Sequence, residues 1–138
     1  NYFSYYVHNS YKKNIGKIVT SISYQAHEDN SESKLFAKNL CMHIAASKPL
    51  SLNVEDLNKD LIAKEREIQL DLIKSSGKPD SIIKKILDGK MNKFYSESTF
   101  LNQNYILDPD LTVEKVINEF SKKNNFEVIN YNLVSLVS

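Results

Sequence analysis

Glycine and proline are scarce in this chain, three of each in 138 residues, and cysteine occurs once. With so few glycines no phosphate-cradling loop can be assembled. Gly77-Lys78 has no matching glycine upstream, and Pro79 follows it. The single thiol, Cys41, excludes an internal disulfide, and its apolar helical surroundings predict a reduced, buried side chain in a reducing compartment. An excess of charge of either sign is also missing: 18 basic residues face 17 acidic ones, a formal net charge of +1. That balance lacks the electrostatic footprint of a nucleic-acid binder, so no direct nucleic-acid partner is expected. No apolar run approaches the length of a membrane span, and no membrane association is expected. The histidines, His8, His27 and His43, fall in three different elements without H-x-x-x-H or C-x-x-C spacing, so neither a metal nor another cofactor is expected. Cys41 and His43 stand two residues apart on a helix and point to different sides, which excludes a nucleophile and base pair. The acidic Glu65, Glu67 and Asp71 read as a solvated helix face. The chain is therefore expected not to be an enzyme, and its partner to be a protein or a small molecule.

What remains is an ordinary globular composition, 41% hydrophobic and 25% charged. It suits one domain over residues 1–138, with a core that needs neither disulfide nor metal. The chain begins at Asn1 with no initiator methionine and no signal-like segment, which reads as a mature form or an excised fragment. Only one of the 18 basic residues is an arginine, Arg66, and asparagine is abundant, a bias that suggests an AT-rich coding sequence.

Tyr2 to His8 is rich in aromatic and β-branched residues, and Lys17 to Tyr24 alternates so that Ile18, Ile22 and Tyr24 share a face. Both are expected strands, joined by a polar loop over Asn9–Asn14. A helix follows from about Ser33 to Ala46, with Leu35, Phe36, Leu40, His43 and Ile44 on one face, and Pro49 ends it. His43 continues the stripe set by Phe36 and Leu40. A packed core role and an interface role are both open to it.

Asn53 is expected to cap a second helix whose apolar face is Leu57, Leu61, Ile68 and Leu72, closed by Gly77. Pro79 opens a third, with Ile82, Ile83, Ile86, Leu87, Met91, Phe94 and Tyr95 as a broad stripe. Gly89 weakens that helix by about 1 kcal/mol relative to alanine, so close packing is the expected reason for it. Asp108-Pro109-Asp110 reads as a turn, Thr112 as a cap, and Val113, Val116, Ile117 and Phe120 as a short amphipathic helix. Phe126 to Val137 reads as a last strand with Ile129, Tyr131 and Leu133 on one face. The expected class is α+β, a three-stranded antiparallel sheet packed with helices.

The segment Met42-His43-Ile44-Ala45-Ala46-Ser47-Lys48-Pro49 resembles the A-M-H-[IV]-A-A-x-x-P signature of the elongation factor Ts family. Asn53-Val54-Glu55-Asp56 and Ala63-Lys64-Glu65-Arg66-Glu67-Ile68 are similar to its V-E-D and E-K-E-R-E-I segments, and Ser76-Gly77-Lys78-Pro79 to its S-G-K-P. Ile82 to Tyr95 is similar to its I-x-E-K-I-x-x-G-R-x-x-K-F-Y helix, while Tyr6-Val7-His8 and Ile15-Gly16 resemble its Y-I-H-G and R-I-G-V-L-V hairpin.

The resemblance covers almost the whole chain and implies a guanine-nucleotide exchange factor for elongation factor Tu, a GTPase of translation elongation, from which it promotes GDP release. It implies a three-stranded sheet with a projecting helical hairpin, which the periodicities would place at about 82–122, from Ile82–Tyr95 and Val113–Lys122. Carried over residue by residue, it implies partner binding at Ile15, Gly16, Met42 and His43. Two departures bear on mechanism. The family's T-D-F-V motif has no counterpart, Tyr24-Gln25-Ala26-His27-Glu28-Asp29 standing in its place, and Asn9 and Ser10 replace the glycines after Y-I-H. The chain thus resembles the carboxy-terminal copy of the family's core repeat, supplying docking, with the other copy expected upstream. The alternative is a self-association domain forming a homodimer without exchange activity of its own. The expected location is an organelle matrix, mitochondrion or plastid, with bacterial cytoplasm as the alternative.

Overall fold

The computed structural model describes residues 1–9 and 16–136. In chain order the elements are β1 (Tyr2–Asn9), β2 (Lys17–Gln25), α1 (Ser31–Ser47), α2 (Lys59–Lys74), α3 (Asp80–Ser98), β3 (Asn104–Tyr105), β4 (Asp108–Thr112), α4 (Val113–Asn124) and β5 (Glu127–Leu136), with short 3-10 turns at Val54–Asp56 and Phe100–Asn102.

Alternation along β2 sets the layout. Ile18, Thr20, Ile22 and Tyr24 are buried on one face, and the residues between them turn outward. β2 is the middle strand, antiparallel to β1 on one side and to β5 on the other, giving the expected α+β class with its three-stranded antiparallel sheet. The loop expected to join β1 to β2 lies outside the described residues, apart from Asn9.

α1 packs on the inner face of the sheet. Its start is fixed by Asn30, whose side chain accepts from the Ser33 amide at 2.8 Å. Its end is fixed by Lys48, left-handed at φ 45° directly before Pro49, where proline disfavours another helical residue. Phe36, Ala37, Leu40, Cys41 and Ile44 meet Ile22 and Tyr24 of the sheet, Phe100, Tyr105 and Phe126, and Val113 and Ile117 of α4 in one core. Tyr24 and Phe126 stack with ring centroids 4.8 Å apart, and Phe36 and Phe120 at 4.2 Å. Thr20 stays inside because its hydroxyl donates to the Cys41 carbonyl at 2.7 Å.

The helical hairpin pairs α2 with α3, which corrects the expected pairing over 82–122. Ile83, Leu87, Met91 and Phe94 of α3 pack with Ile62, Leu70 and Ile73 of α2 in a cluster distinct from the main core. The reason is the short polar connection between the two helices, with Gly77 at φ 71°, which makes them antiparallel neighbours. α4 spends its apolar stripe on the main core instead.

Smaller expectations are also corrected. Leu35 is exposed on α1; Leu61, Ile68 and Leu72 are exposed on α2, and Leu57, though buried, precedes the helix. Asn53 caps only the 3-10 turn, and Asn58 caps α2, accepting from the Asp60 amide at 2.8 Å. Gly89 has open space where a Cβ would be, so close packing within the chain does not explain it. Asp108-Pro109-Asp110 lies in β4, and the chain reverses instead at Ile106-Leu107, between β3 and β4. Proline is tolerated there because β3 and β4 form a two-stranded sheet of edges only. In β5 the pairing slips after Ser23 opposite Asn130 to Tyr24 opposite Val128, so Ile129 is an extra, exposed residue of a bulge. Val128, Tyr131 and Leu133 consequently pack inward, and Ile129 leaves the face predicted for it.

Candidate protein-interaction site

α1 carries the histidine singled out by the sequence, and its side chain is 0% exposed. Both ring nitrogens are occupied. Nδ1 accepts from the Ile106 amide at 3.2 Å, which leaves Nε2 as the protonated nitrogen of a neutral ring, donating to Gln103 Oε1 at 2.9 Å. Gln103 in turn donates through Nε2 to the Glu97 carbonyl at 2.9 Å and the Ser47 carbonyl at 3.3 Å. The ring lies 5.7 Å from Phe100 and 5.9 Å from Tyr105, centroid to centroid. Burial lowers the His43 pKa below the ordinary 6.5, with the Gln103 bond opposing, so the imidazole is held neutral.

His43 thus ties α1 to the end of α3 and to the turn between β3 and β4. That turn presents two apolar side chains to solvent, Ile106 at 36% exposure and Leu107 at 56%, followed by the exposed acids Asp108 and Asp110. A buried, fully hydrogen-bonded histidine beneath an exposed apolar tip is a positioning arrangement. The tip is one of several exposed apolar stretches of the surface.

The remaining expected contacts do not converge on His43. Met42 is half-buried one position earlier on α1, about a quarter-turn away around the helix. Gly16 is half-buried just ahead of β2. Ile15 lies outside the described residues. Cys41 is buried, its thiol directed to the Ser4 carbonyl at 3.5 Å, and burial pushes its pKa up to about 11. A thiol so protonated is a poor nucleophile and a poor metal ligand. Among the described residues no group of three potential ligands gathers to hold a metal ion. No helix among the described residues is long and apolar enough to cross a membrane.

Gln103, Ile106 and Leu107 escaped the sequence reading. Their one local signal is an adjacent pair of apolar residues ahead of Asp-Pro-Asp, in a stretch too short for periodicity.

Of Tyr24 to Asp29, which the resemblance sets against the missing T-D-F-V motif, Tyr24 at the end of β2 points into the core while Gln25, His27 and Glu28 are exposed. Tyr24 is fully buried and its hydroxyl donates to Asp29 Oδ1 at 2.6 Å. Burial, with the Asp29 bond adding to it, raises the phenol pKa.

Compared with known proteins, the chain matches the family model described as Elongation factor TS over residues 1–136. The elongation factor Ts of Ruegeria sp. (strain TM1040) is 40% identical over 114 residues, covering 83% of this chain and 38% of the relative. That of Brucella ovis is 36% identical over 117 residues, covering 85% of this chain and 38% of the relative. The match spans about 38% of the length of these curated relatives. With the family model matching nearly every residue, this chain belongs to the elongation factor Ts family.

Proposed function

We propose that the chain acts in translation elongation as part of a guanine-nucleotide exchange factor that binds elongation factor Tu and promotes release of GDP. The observation that carries this reading is the family match over residues 1–136. Exchange of this kind needs no bond-making residue. A factor that binds the nucleotide-free GTPase more tightly than the GDP form shifts the equilibrium by that difference in affinity, and by no more.

The part played by this chain is docking. The Ile106-Leu107 tip is an apolar contact, Met42 and Gly16 are further direct contacts, and Ile15 joins them on the resemblance alone. His43 works through Ile106 as a positioning residue. The buried Tyr24 ring, bonded to Asp29, supports docking over direct insertion at the nucleotide, since the one aromatic side chain of this stretch is committed to the core.

Release of a fluorescent GDP analogue from the cognate elongation factor Tu, with affinity measured by calorimetry for the nucleotide-free and GDP forms, tests the proposal. Tighter binding of the nucleotide-free form supports it. Equal affinity for both forms, or no binding to either, overturns it.

A second reading, self-association, is favoured by the outer face of the sheet. Phe3 (78% exposed), Tyr5, Val7, Val134 and Leu136 together leave an apolar surface uncovered. A homodimer in sedimentation that fails to bind the GTPase supports this reading, and a GTPase-binding monomer rejects it. The relatives reported above are bacterial, which favours the bacterial-cytoplasm location; the comparisons lend no support to an organelle.

A further inference from the structure

β5 is an edge strand, paired with β2 on one side and with no strand on the other among the described residues. From Val128 to Leu136 it carries neither a charged residue nor a proline, two of the devices that blunt an exposed edge. Its single bulge, at Ile129, lies near one end and leaves Asn130 to Leu136 in regular register. Two clefts open beside it. The first, about 370 Å³, is bordered by Phe126, Glu127 and Val128, by Leu52 and Leu101, and by α4. The second, about 540 Å³, is bordered by the consecutive residues Ile129 to Leu133 and by the Pro49–Leu52 segment with Asp56. Consecutive strand residues point to opposite faces of a sheet, so a cleft that all of them line must run along the strand's edge. Leu52 borders both clefts and the strand residues pass directly from one to the next, so the two form a single groove. The Tyr131 hydroxyl, donating to the Pro49 carbonyl at 2.8 Å, fixes the far wall.

The groove has one sign of charge. Glu114 and Glu127 line the first cleft and Asp56 the second, while no lysine, arginine or histidine lines either. None of these three carboxylates takes part in a salt bridge among the described residues. In a chain with 18 basic and 17 acidic residues, that local excess is selective.

We propose that the free edge of β5 and the acidic groove beside it dock an extended, basic segment of a partner protein, which joins the sheet as a fourth strand. Its main chain supplies the hydrogen bonds that the β5 edge lacks. Alternate apolar side chains rest on Leu52 and Leu101, and lysine or arginine side chains reach Glu114, Glu127 and Asp56. Main-chain pairing provides the affinity, and the carboxylates select basic segments and reject acidic ones. The inference stands independently of the exchange reading, since it rests on the strand edge and the groove alone.

The test is a nuclear magnetic resonance titration of the full chain with a seven-residue peptide of alternating valine and lysine, capped at both ends. Two control peptides accompany it, one with glutamate for lysine and one N-methylated at every second residue along each edge. The expected result is shifted, slowly exchanging amides between Val128 and Leu133. Affinity should fall roughly fivefold in Glu127→Gln or Glu114→Gln, the scale of one exposed charge pair, and further with added salt. Neither control peptide should bind. The proposal is overturned by equal binding of the glutamate or N-methylated peptide, by shifts confined to other elements, or by no binding at millimolar peptide. Shifts in β5 that depend on protein concentration without peptide would assign the edge to a second copy of the chain, and overturn it equally.

Discussion

The Ile106 amide donates to Nδ1 of His43 at 3.2 Å, joining two residues 63 positions apart and fixing the turn between β3 and β4 against α1. The imidazole has no surface of its own, so its influence on any partner passes through the groups it holds, the Ile106 amide and Gln103. Replacing His43 and replacing an exposed residue of the tip should therefore have different signatures.

Leu107→Ser should weaken binding to elongation factor Tu by about 1 kcal/mol or more, as loss of an apolar anchor does. Its stability should stay within about 0.5 kcal/mol of the parent, because Leu107 is 56% exposed. His43→Ala should lower both quantities, costing about 3 kcal/mol or more of stability through the cavity and the stranded Gln103 and Ile106 groups. Calorimetry and thermal melts on both variants check this. Unchanged affinity in Leu107→Ser would remove the tip from the interface.

Gly89→Ala should stabilise the chain by about 1 kcal/mol, the usual gain for alanine over glycine within a helix. The added methyl meets nothing within 4 Å, so no steric term offsets the gain. A higher melting midpoint is the expected observation, and a lower one would mean that the helix is not continuous there.

Cys41 should resist alkylation in the native state. Its thiol is buried with a pKa near 11, so at pH 8 hardly any thiolate is present and none is accessible. Labelling by iodoacetamide across a urea series should follow unfolding and coincide with loss of the circular dichroism signal. Rapid labelling without urea would contradict the packing of α1 on the sheet.

Met91→Ala should loosen the α2–α3 hairpin more than the sheet. Met91 is buried in the hairpin's own cluster with Ile73 and Leu87, and truncating a buried methionine costs about 2 to 5 kcal/mol. Amide exchange should quicken in α2 and α3 while β2 keeps most of its protection, as expected of regions that open separately. Equal acceleration in both regions would show that the two clusters unfold as one.

Local patterns in the sequence sufficed for β2, for the body of α1 from about Ser33 to Ala46 and its stop at Pro49, and for the sheet class. Alternation, the helical stripe and the proline stop act over a few residues, whereas the Asn30 cap, which starts the helix two residues earlier at Ser31, escaped these patterns. They failed where the choice was tertiary. α2 has apolar residues on two faces, Leu61, Ile68 and Leu72 on one and Ile62, Leu70 and Ile73 on the other, and only the approach of α3 decides which is buried. The bulge at Ile129 moves a predicted inward residue outward without any local signal. His43 was legible as a buried position. Its partners were not, since Gln103 and Ile106 lie 60 and 63 residues further along, in a stretch whose strands are too short to show a period.

Acid should destabilise the fold in a window that His43 opens. The unfolded chain binds a proton at His43 near pH 6.5, whereas the folded state resists it, because burial lowers the pKa and Nδ1 is engaged by the Ile106 amide. Below pH 6.5 the unfolded state therefore holds more protons than the native one, and stability rises with pH across that interval. The contribution is fully present above 6.5 and declines as pH falls toward the lowered native value, with a slope of at most about 1.4 kcal/mol per pH unit for one proton. The hydrogen-bonding and ring neighbours identified around the imidazole are Gln103, Ile106, Phe100 and Tyr105, none of which changes charge in that range. Urea midpoints between pH 7.5 and 5.5 for the parent and for His43→Gln measure the effect. The parent should lose stability on acidification, and the variant, which cannot titrate there, should lose distinctly less. Parallel curves would mean that His43 charges as readily in the folded chain as in the unfolded one, contrary to the sealed site observed.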